Sequence, residues 1–261
     1  MNIKQIRSAM VRIDYAGKTF LTDPWLGEKG SMGPFTDPSF RYCNPEQAKI
    51  AMPMCDLPMS VEEILRGVDA YIVTHVHPDH IDMAADGTVG APMDKNIPVF
   101  VQSEDDGEIL KRSGFTSVSV LSENSFFHDI KLIKTPGLHG TKIPCGPSCG
   151  VIFEHQNEKK LYVAGDTIWY SGVADTLTKF NPDVIILNAC AAEFIDQGRL
   201  IMDDNDVNEV YIACPESNII ISHMDNVAHA SITRETMRER LTERGIWNKV
   251  FMPNDGEDYS F

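Results

Sequence analysis

The sequence predicts an α/β (α+β) chain in which two β-sheets pack together with helices on the outside. Three observations lead there. The first half reads mostly as hairpins. The second half alternates helical and strand-like stretches. Within it, Val184 to Leu187 is a continuous apolar run, the mark of a strand buried on both faces. With 261 residues, 43% of them hydrophobic, the chain has enough apolar material for a sizeable core.

Taken in order, Ile6 through Asp14 reads as a strand, Tyr15-Ala16-Gly17 as a turn and Lys18 through Thr22 as the returning strand, stopped at Asp23-Pro24 where proline cannot continue a ladder. From Gly27 to Pro58 the chain is rich in Gly, Pro and Met and has no sustained period. A loop of that length inside a domain is uncommon and often functional, so residues 27–60 read as a lid or an insertion beside a site. After Ser60 a short helix, Val61 to Arg66, leads into the strand Ala70 to Thr74. Ile97 to Gln102 is a strand, and Ser103 caps a helix through Arg112, with Asp106 at the capping-box position and Gly114 as the stop. Ser117 to Leu121 and Asp129 to Thr135 are further strands, and Val151 to Glu154 with Lys160 to Ala164 form another hairpin. Beyond these come a helix over Ala174 to Phe180, the strand Val184 to Leu187, and a helix over Asp206 to Cys214. The strand Asn218 to Ser222, a helix from Ser231 to Arg244 ended by Gly245, and a last strand Lys249 to Met252 complete the series.

Composition narrows the function classes. The formal net charge of −15 repels DNA, RNA and anionic membrane surfaces, and no basic cluster offsets it. The expected partner is therefore a small-molecule substrate, with no nucleic acid and no membrane, and a homo-oligomer is compatible. The amino terminus lacks the apolar core of a signal peptide, and no apolar run reaches membrane-spanning length. Six scattered cysteines do not resemble a secreted disulfide framework, so the expected location is cytoplasmic.

The chemistry is concentrated in Thr74-His75-Val76-His77-Pro78-Asp79-His80, directly after the apolar stretch Tyr71-Ile72-Val73. Three of the eight histidines and a carboxylate fall within six positions. Imidazole nitrogen and carboxylate oxygen suit zinc and other first-row divalent ions. His139, Asp166 and His223 likewise follow apolar strands, in Thr135-Pro136-Gly137-Leu138-His139, Ala164-Gly165-Asp166-Thr167 and Ile221-Ser222-His223-Met224-Asp225. If those strand ends meet at one edge, the seven residues form a cluster. His128 and His155 read as surface residues. His229 follows the last ligand closely and is a substrate contact at most. Cys145-Gly146-Pro147-Ser148-Cys149 lacks the second pair a tetrahedral metal site needs, and Cys190 and Cys214 sit in apolar contexts as core residues. Trp169 and Tyr170 read equally as pocket wall or as core.

The order His-x-His-x-Asp-His, a lone His, Gly-Asp-Thr and Ser-His resembles the metallo-β-lactamase superfamily over almost the whole chain, from the initial hairpin to Asp255-Gly256-Glu257. Leu21-Thr22-Asp23-Pro24-Trp25, Tyr162-Val163-Ala164-Gly165-Asp166-Thr167 and Ser222-His223-Met224-Asp225 look most like the bacterial branch that includes L-ascorbate-phosphate lactonases. The resemblance implies one domain over 1–261, a four-layer αββα sandwich. It also implies two metal sites: His75, His77 and His139 hold one ion, Asp79, His80 and His223 the other, and Asp166 bridges them. Asp23 is then a residue that orients a ligand histidine.

Such a centre predicts a dinuclear metal-dependent hydrolase. Two divalent ions, zinc or manganese with iron as a further option, lower the pKa of a shared water from about 15.7 to near neutrality, and Asp79 shuttles its proton. A lactone, ester or phosphoester substrate follows, with a lactone favoured by the branch resemblance alone. A phosphate group would need a basic partner, for which Arg41, Lys142 and Arg199 are the loop candidates. The alternatives are a phosphodiesterase or nuclease on the same scaffold, iron-dependent redox chemistry with a flavin partner, and a metal-binding protein without catalysis.

Overall fold

A computed structural model describes residues 1–261. The strand expected over Ile6 to Asp14 is two strands. β1 (Asn2–Arg7) and β2 (Met10–Tyr15) pair antiparallel, and β3 (Lys18–Thr22) follows as expected. The turn between the first two is hidden in the sequence because Ser8 adopts a left-handed φ of 52° without being glycine or asparagine.

β4 (Ala70–Val73), β5 (Val99–Val101) and β6 (Val118–Val120) then add in parallel beside β3, with helix α1 (Val61–Leu65) before β4 and α2 (Glu104–Arg112) between β5 and β6. Ser60 and Glu63 close a reciprocal capping box at α1, whereas at α2 only half of the expected box forms: Ser103 accepts from the Asp106 amide at 3.1 Å, but the Asp106 carboxylate returns no bond to the Ser103 amide.

The second sheet begins with the antiparallel strands β7 (Ser125–Phe127), β8 (Ile130–Pro136), β9 (Cys149–Glu154) and β10 (Leu161–Val163). It continues in parallel through β11 (Val184–Asn188), β12 (Asn218–Ser222) and β13 (Val250–Phe251). Helices α3 (Ser171–Phe180), α4 (Asp204–Ala213) and α5 (Arg234–Glu243) make the three crossovers. The last strand, β14 (Asp258–Ser260), returns to pair with β1. The sheet orders are β14-β1-β2-β3-β4-β5-β6 and β13-β12-β11-β10-β9-β8-β7.

Three apolar cores explain the layering. Phe20, Ile72, Leu132, Phe153 and Ile186 belong to one that lies between the sheets. Ile64, Tyr71, Val99 and Leu110 join α1 and α2 to the outer face of the first sheet, while Leu177, Leu187, Val207, Ile221 and Leu241 join α3 to α5 to the outer face of the second. The result is the four-layer αββα sandwich. Strands β8, β10, β11 and β12 run in one direction, so their C-terminal ends lie along one edge of the sheet, the usual place for a site in parallel sheets.

Residues 27–60 carry a two-residue ribbon, Gly33–Pro34 against Ala51–Met52, and a single turn of 3₁₀-helix at Gln47–Lys49. Without long elements, the segment is fixed by its ends. The Arg7 guanidinium is fully buried and donates to the carbonyls of Trp25 at 2.7 Å, Gly27 at 2.8 Å and Cys55 at 3.2 Å. One side chain thus ties the start of the segment to its finish. No helix is long and apolar enough to cross a membrane.

Candidate metal centre

The strand ends deliver their side chains to one place. Donor atoms of His75, His77 and His139 lie within 4.8 Å of one another, as do those of His75, His80 and Asp166, and those of Asp79, His80 and His223. All seven expected ligands are in these three overlapping sets. His80 and His223 come from different sheets, yet their Nε2 atoms are 3.2 Å apart.

The outer nitrogens of the rings show how the cluster is poised. Asp23 accepts from the Thr74 amide and from the Thr74 hydroxyl, both at 2.8 Å. With its proton given to Asp23, Thr74 Oγ1 can only accept from His75 Nδ1, 3.2 Å away. His80 Nδ1 lies 3.0 Å from the second oxygen of Asp23. His139 Nδ1 faces the Leu200 carbonyl at 3.0 Å. His223 Nδ1 faces Ser8 Oγ at 3.3 Å and Cys190 Sγ at 3.8 Å. His75, His139 and His223 therefore have outward partners for Nδ1, His80 Nδ1 lies against the Asp23 carboxylate, and all four turn Nε2 inward, the arrangement a metal-ligating histidine requires.

Asp166 sits among those inward nitrogens. Its Oδ2 is 3.3 Å from His80 Nε2, 3.8 Å from His139 Nε2 and 4.0 Å from His75 Nε2, while Asn188 donates to Oδ1 at 2.7 Å. Gly165 makes this possible. It has a left-handed φ of 66°, and a Cβ there would lie 2.4 Å from the Cys149 carbonyl oxygen. Asp23 and His223 also adopt left-handed φ, 45° and 61°, so backbone strain gathers around the centre.

The donor set fits divalent cations on structural grounds. Inward nitrogens 2.9 Å apart (His75 Nε2 and His77 Nδ1) and 3.2 Å apart (His80 and His223) repel unless a proton or a cation lies between them. In the metal-free protein, burial holds His75 well below the usual imidazole range. Burial also works against a charged His80, but Asp166 and Asp23 outweigh it and push that ring up to about 10. Burial opposes the Asp166 charge too, and His80 and His223 overcome it. Ionised carboxylates wrapped in imidazoles are the donor chemistry that a divalent cation would take.

Above the centre opens a cavity of about 240 Å³. His77, Asp79, His139, Asp166 and His223 form its polar part. Its walls are Met32, Phe35, Phe40 and Met52 from the 27–60 segment and Phe194, Leu200 and Ile201 from the second half. No lysine or arginine lines it. The three basic candidates are engaged elsewhere: Arg41 with Glu193 at 2.8 Å, Lys142 with the Asp196 carbonyl at 3.0 Å, and Arg199 with Asp206 at 2.6 Å. Trp169 and Tyr170 pack against the outer core and are not part of the cavity. All six cysteines are free. Cys145 lines the cavity, whereas Cys149, Cys190 and Cys214 are buried. His128 is exposed, and His155 faces Asp129 at 3.1 Å.

Sequence reasoning missed the supporting residues. Asn188 ends the apolar run Val184–Asn188 with a polar side chain, a signal that was available. Ser8, Cys190 and the Leu200 carbonyl carried none.

Fold and site together define a metal-dependent hydrolase built on an αββα sandwich. A family model described as beta-lactamase superfamily domain matches residues 18–224. The chain is 41% identical over 267 residues to UPF0173 protein YddR of Bacillus subtilis, covering 100% of both. It is 26% identical to a UPF0173 metal-dependent hydrolase of Korarchaeum cryptofilum, over 77% of this chain and 85% of that one. The crystal structure of an isothiocyanate hydrolase from Delia radicum gut bacteria matches with a TM-score of 0.90 at 34% identity, covering 100% of this chain and 99% of that one. A possible metal-dependent hydrolase from Veillonella parvula matches with a TM-score of 0.91, also at 34% identity and with the same coverage. The chain belongs to the beta-lactamase superfamily.

Proposed function

We propose that this protein is a dinuclear hydrolase of small, uncharged, apolar electrophiles, with isothiocyanates as the leading substrate class. The observation that carries the reading is the pairing of a polar floor, with the Nε2 atoms of His75, His80 and His139 around Asp166, and a cavity wall of Phe, Met, Leu and Ile without a fixed cation. In this reading His75, His77 and His139 would hold one ion and Asp79, His80 and His223 the other, with Asp166 available to both. Bound divalent ions would supply the charge that lowers the pKa of water and polarises the bond under attack.

The chain's own residues do the rest. Asp23, Thr74, Asn188 and the Leu200 carbonyl fix the ligands so that they do not reorganise during reaction. The aromatic and aliphatic wall excludes bulk water and takes the apolar group of the substrate. Asp79 Oδ2, at the boundary between floor and cavity, accepts a proton from attacking water. For an isothiocyanate, water adds at the central carbon and one of its protons passes to the nitrogen to give a thiocarbamate; transfer of the second proton to the nitrogen then breaks the carbon–nitrogen bond and leaves a primary amine and carbonyl sulfide. The likeness to the isothiocyanate hydrolase supports this class. An apolar lactone fits the same cavity and is the second substrate to try. A phosphorylated sugar-acid lactone or a phosphodiester lacks a cationic partner there.

The test is metal analysis of purified protein joined to assays on allyl isothiocyanate, an apolar lactone and a nitrophenyl phosphodiester. About two equivalents of divalent metal and chelator-sensitive loss of the isothiocyanate absorbance are expected. Metal content near zero, or faster turnover of the phosphodiester, overturns the reading.

A further inference from the structure

His229 is the one polar side chain of the cavity wall, other than the Cys145 thiol, that is outside the proposed ligand set. Its Nε2 is 3.3 Å from Asp79 Oδ2. Its Nδ1 is buried and has no hydrogen-bond partner. The ring packs against both Phe35 and Phe40, which also touch each other at 5.2 Å; its two centroid distances are 5.1 Å, with tilts of 55° and 52°.

These contacts bear on where the ring carries its proton. A carboxylate oxygen accepts, so the proton of a neutral His229 belongs on Nε2, facing Asp79. A proton on Nδ1 would leave a buried N–H without an acceptor. His223 Nε2 also approaches Asp79 Oδ2, at 3.5 Å, but a nitrogen that ligates an ion has no proton to donate. The N–H of His229 is therefore the one that can steady Asp79 once the centre is loaded.

The ring itself is held from the other side. Phe35 and Phe40 belong to the 27–60 segment, and the backbone around His229 is tied to that segment too. Gln47 Nε2 donates to the Val227 carbonyl at 3.5 Å, and the Ala228 amide points at Met52 Sδ at 3.2 Å.

We infer that His229 is a positioning residue: its Nε2–H fixes the Asp79 carboxylate, and the Phe35–Phe40 pair fixes the ring, so the 27–60 segment sets the geometry of one half of the metal centre. This rests on the reading of Asp79 as a ligand of the second ion.

The test is cobalt(II) titration of the metal-free protein, followed by visible absorbance, for wild type, H229F and H229Q, beside steady-state hydrolysis of allyl isothiocyanate. H229F keeps the aromatic stack and removes the donor. It is expected to bind the first equivalent as wild type does, to bind the second about 10- to 100-fold more weakly with an altered spectrum, and to lose kcat with KM unchanged. H229Q restores an N–H and is expected to recover much of both. Should H229F fold poorly, H229N, whose amide is too short to reach Asp79, carries the same expectation. A wild-type second-site affinity and spectrum in H229F or H229N overturns the inference and leaves the dinuclear reading standing. A wild-type protein that takes up no cobalt overturns both.

Discussion

Asp23 Oδ2 stands 3.0 Å from His80 Nδ1, and both side chains are almost completely buried between the first sheet and the metal centre. The same carboxylate also accepts from the Thr74 amide and hydroxyl, and through that hydroxyl it reaches His75. One residue at the end of β3 therefore sets the ring orientation of two expected ligands, one from each proposed ion site. Asp23→Ala is expected to weaken metal binding by roughly 10- to 100-fold at both sites. It should also cost about 1–3 kcal/mol of stability, because Thr74 and His80 lose their acceptor in a buried place. Isothermal titration with zinc and urea unfolding of the metal-free protein check the two effects separately.

Gly165→Ala tests how Asp166 is placed. The added methyl would meet the Cys149 carbonyl oxygen at 2.4 Å, and φ at this residue is 66°. Neither β9 nor β10 can yield, since both are internal strands of the second sheet. A loss of at least about 2 kcal/mol is expected from the left-handed backbone and the clash together. Asp166 should move with it, so metal content falls along with the unfolding midpoint. A stable variant with full metal content would show that the close approach is not needed.

The outline of the sandwich was legible in the sequence because its signals are local. Apolar runs such as Tyr71-Ile72-Val73 and Val184 to Leu187, each ended by a ligand-type or polar residue, mark strands and their active edge. Ser60 and Ser103 announce helix starts by their own side chains. Apart from Asn188, what failed had no local signal. The Ser8 turn and the short edge strand β14 depend on partners far along the chain. So does the cavity. Phe35 and Phe40 lie in a stretch without periodicity, and their approach to Phe194 and His229 is fixed by backbone bonds such as Arg41 N to the Glu193 carbonyl, 2.8 Å. Hence the residues of the candidate metal centre were readable, whereas the apolar character of the cavity above it was not.

That character makes its own prediction. Phe194 is half-buried in the cavity wall and packs on Phe40 with ring centroids 4.3 Å apart. Phe194→Ala is expected to lower kcat/KM for an apolar isothiocyanate about 10-fold, with the change carried by KM, because it removes apolar contact made equally before and during reaction. Metal content should be unchanged. A fall in kcat alone, at constant KM, would contradict the assignment of this wall to substrate binding.

Acid sensitivity has a separate source on the helical face of the second sheet. Asp204 opens α4 and is held by Arg240 at 2.8 Å and Arg244 at 2.7 Å. Burial pushes its carboxyl upward, but the hydrogen bonds and charge of the two arginines outweigh that and hold it below its ordinary value. A depressed folded-state pKa means that the ion pairs stabilise the protein fully above the unfolded carboxylate pKa of about 3.9. The contribution fades as pH falls from there through the lower folded-state value. Asp204→Asn should therefore be less stable than wild type near pH 7, and the gap should close as the pH drops below about 4. Urea unfolding of both proteins across that range, in the metal-free state so that acid-driven metal release does not intervene, reports the difference. A gap that stays constant with pH would remove Asp204 as the titrating group.

Arg7 links the fold to the cavity by a longer route. Its guanidinium is fully buried, stacks on the Trp25 ring at 5.0 Å and donates to three carbonyls at the two ends of the 27–60 segment. Burial lowers its pKa to about 10, with Asp82 and Asp255 opposing the shift, so it is charged at neutral pH. Arg7→Met fills similar space but supplies no donor. The Trp25, Gly27 and Cys55 carbonyls then lose their partner, which should cost about 3–5 kcal/mol. The cost should appear first as local opening, because the segment has little regular structure to fall back on. Hydrogen exchange over residues 28–55 is expected to quicken well before the strands of either sheet respond. Since Phe35 and Phe40 travel with the segment, KM for an apolar substrate should rise in step with that exchange. Unchanged exchange in the segment, with protection lost instead across the first sheet, would make Arg7 a core residue with no part in holding the cavity wall.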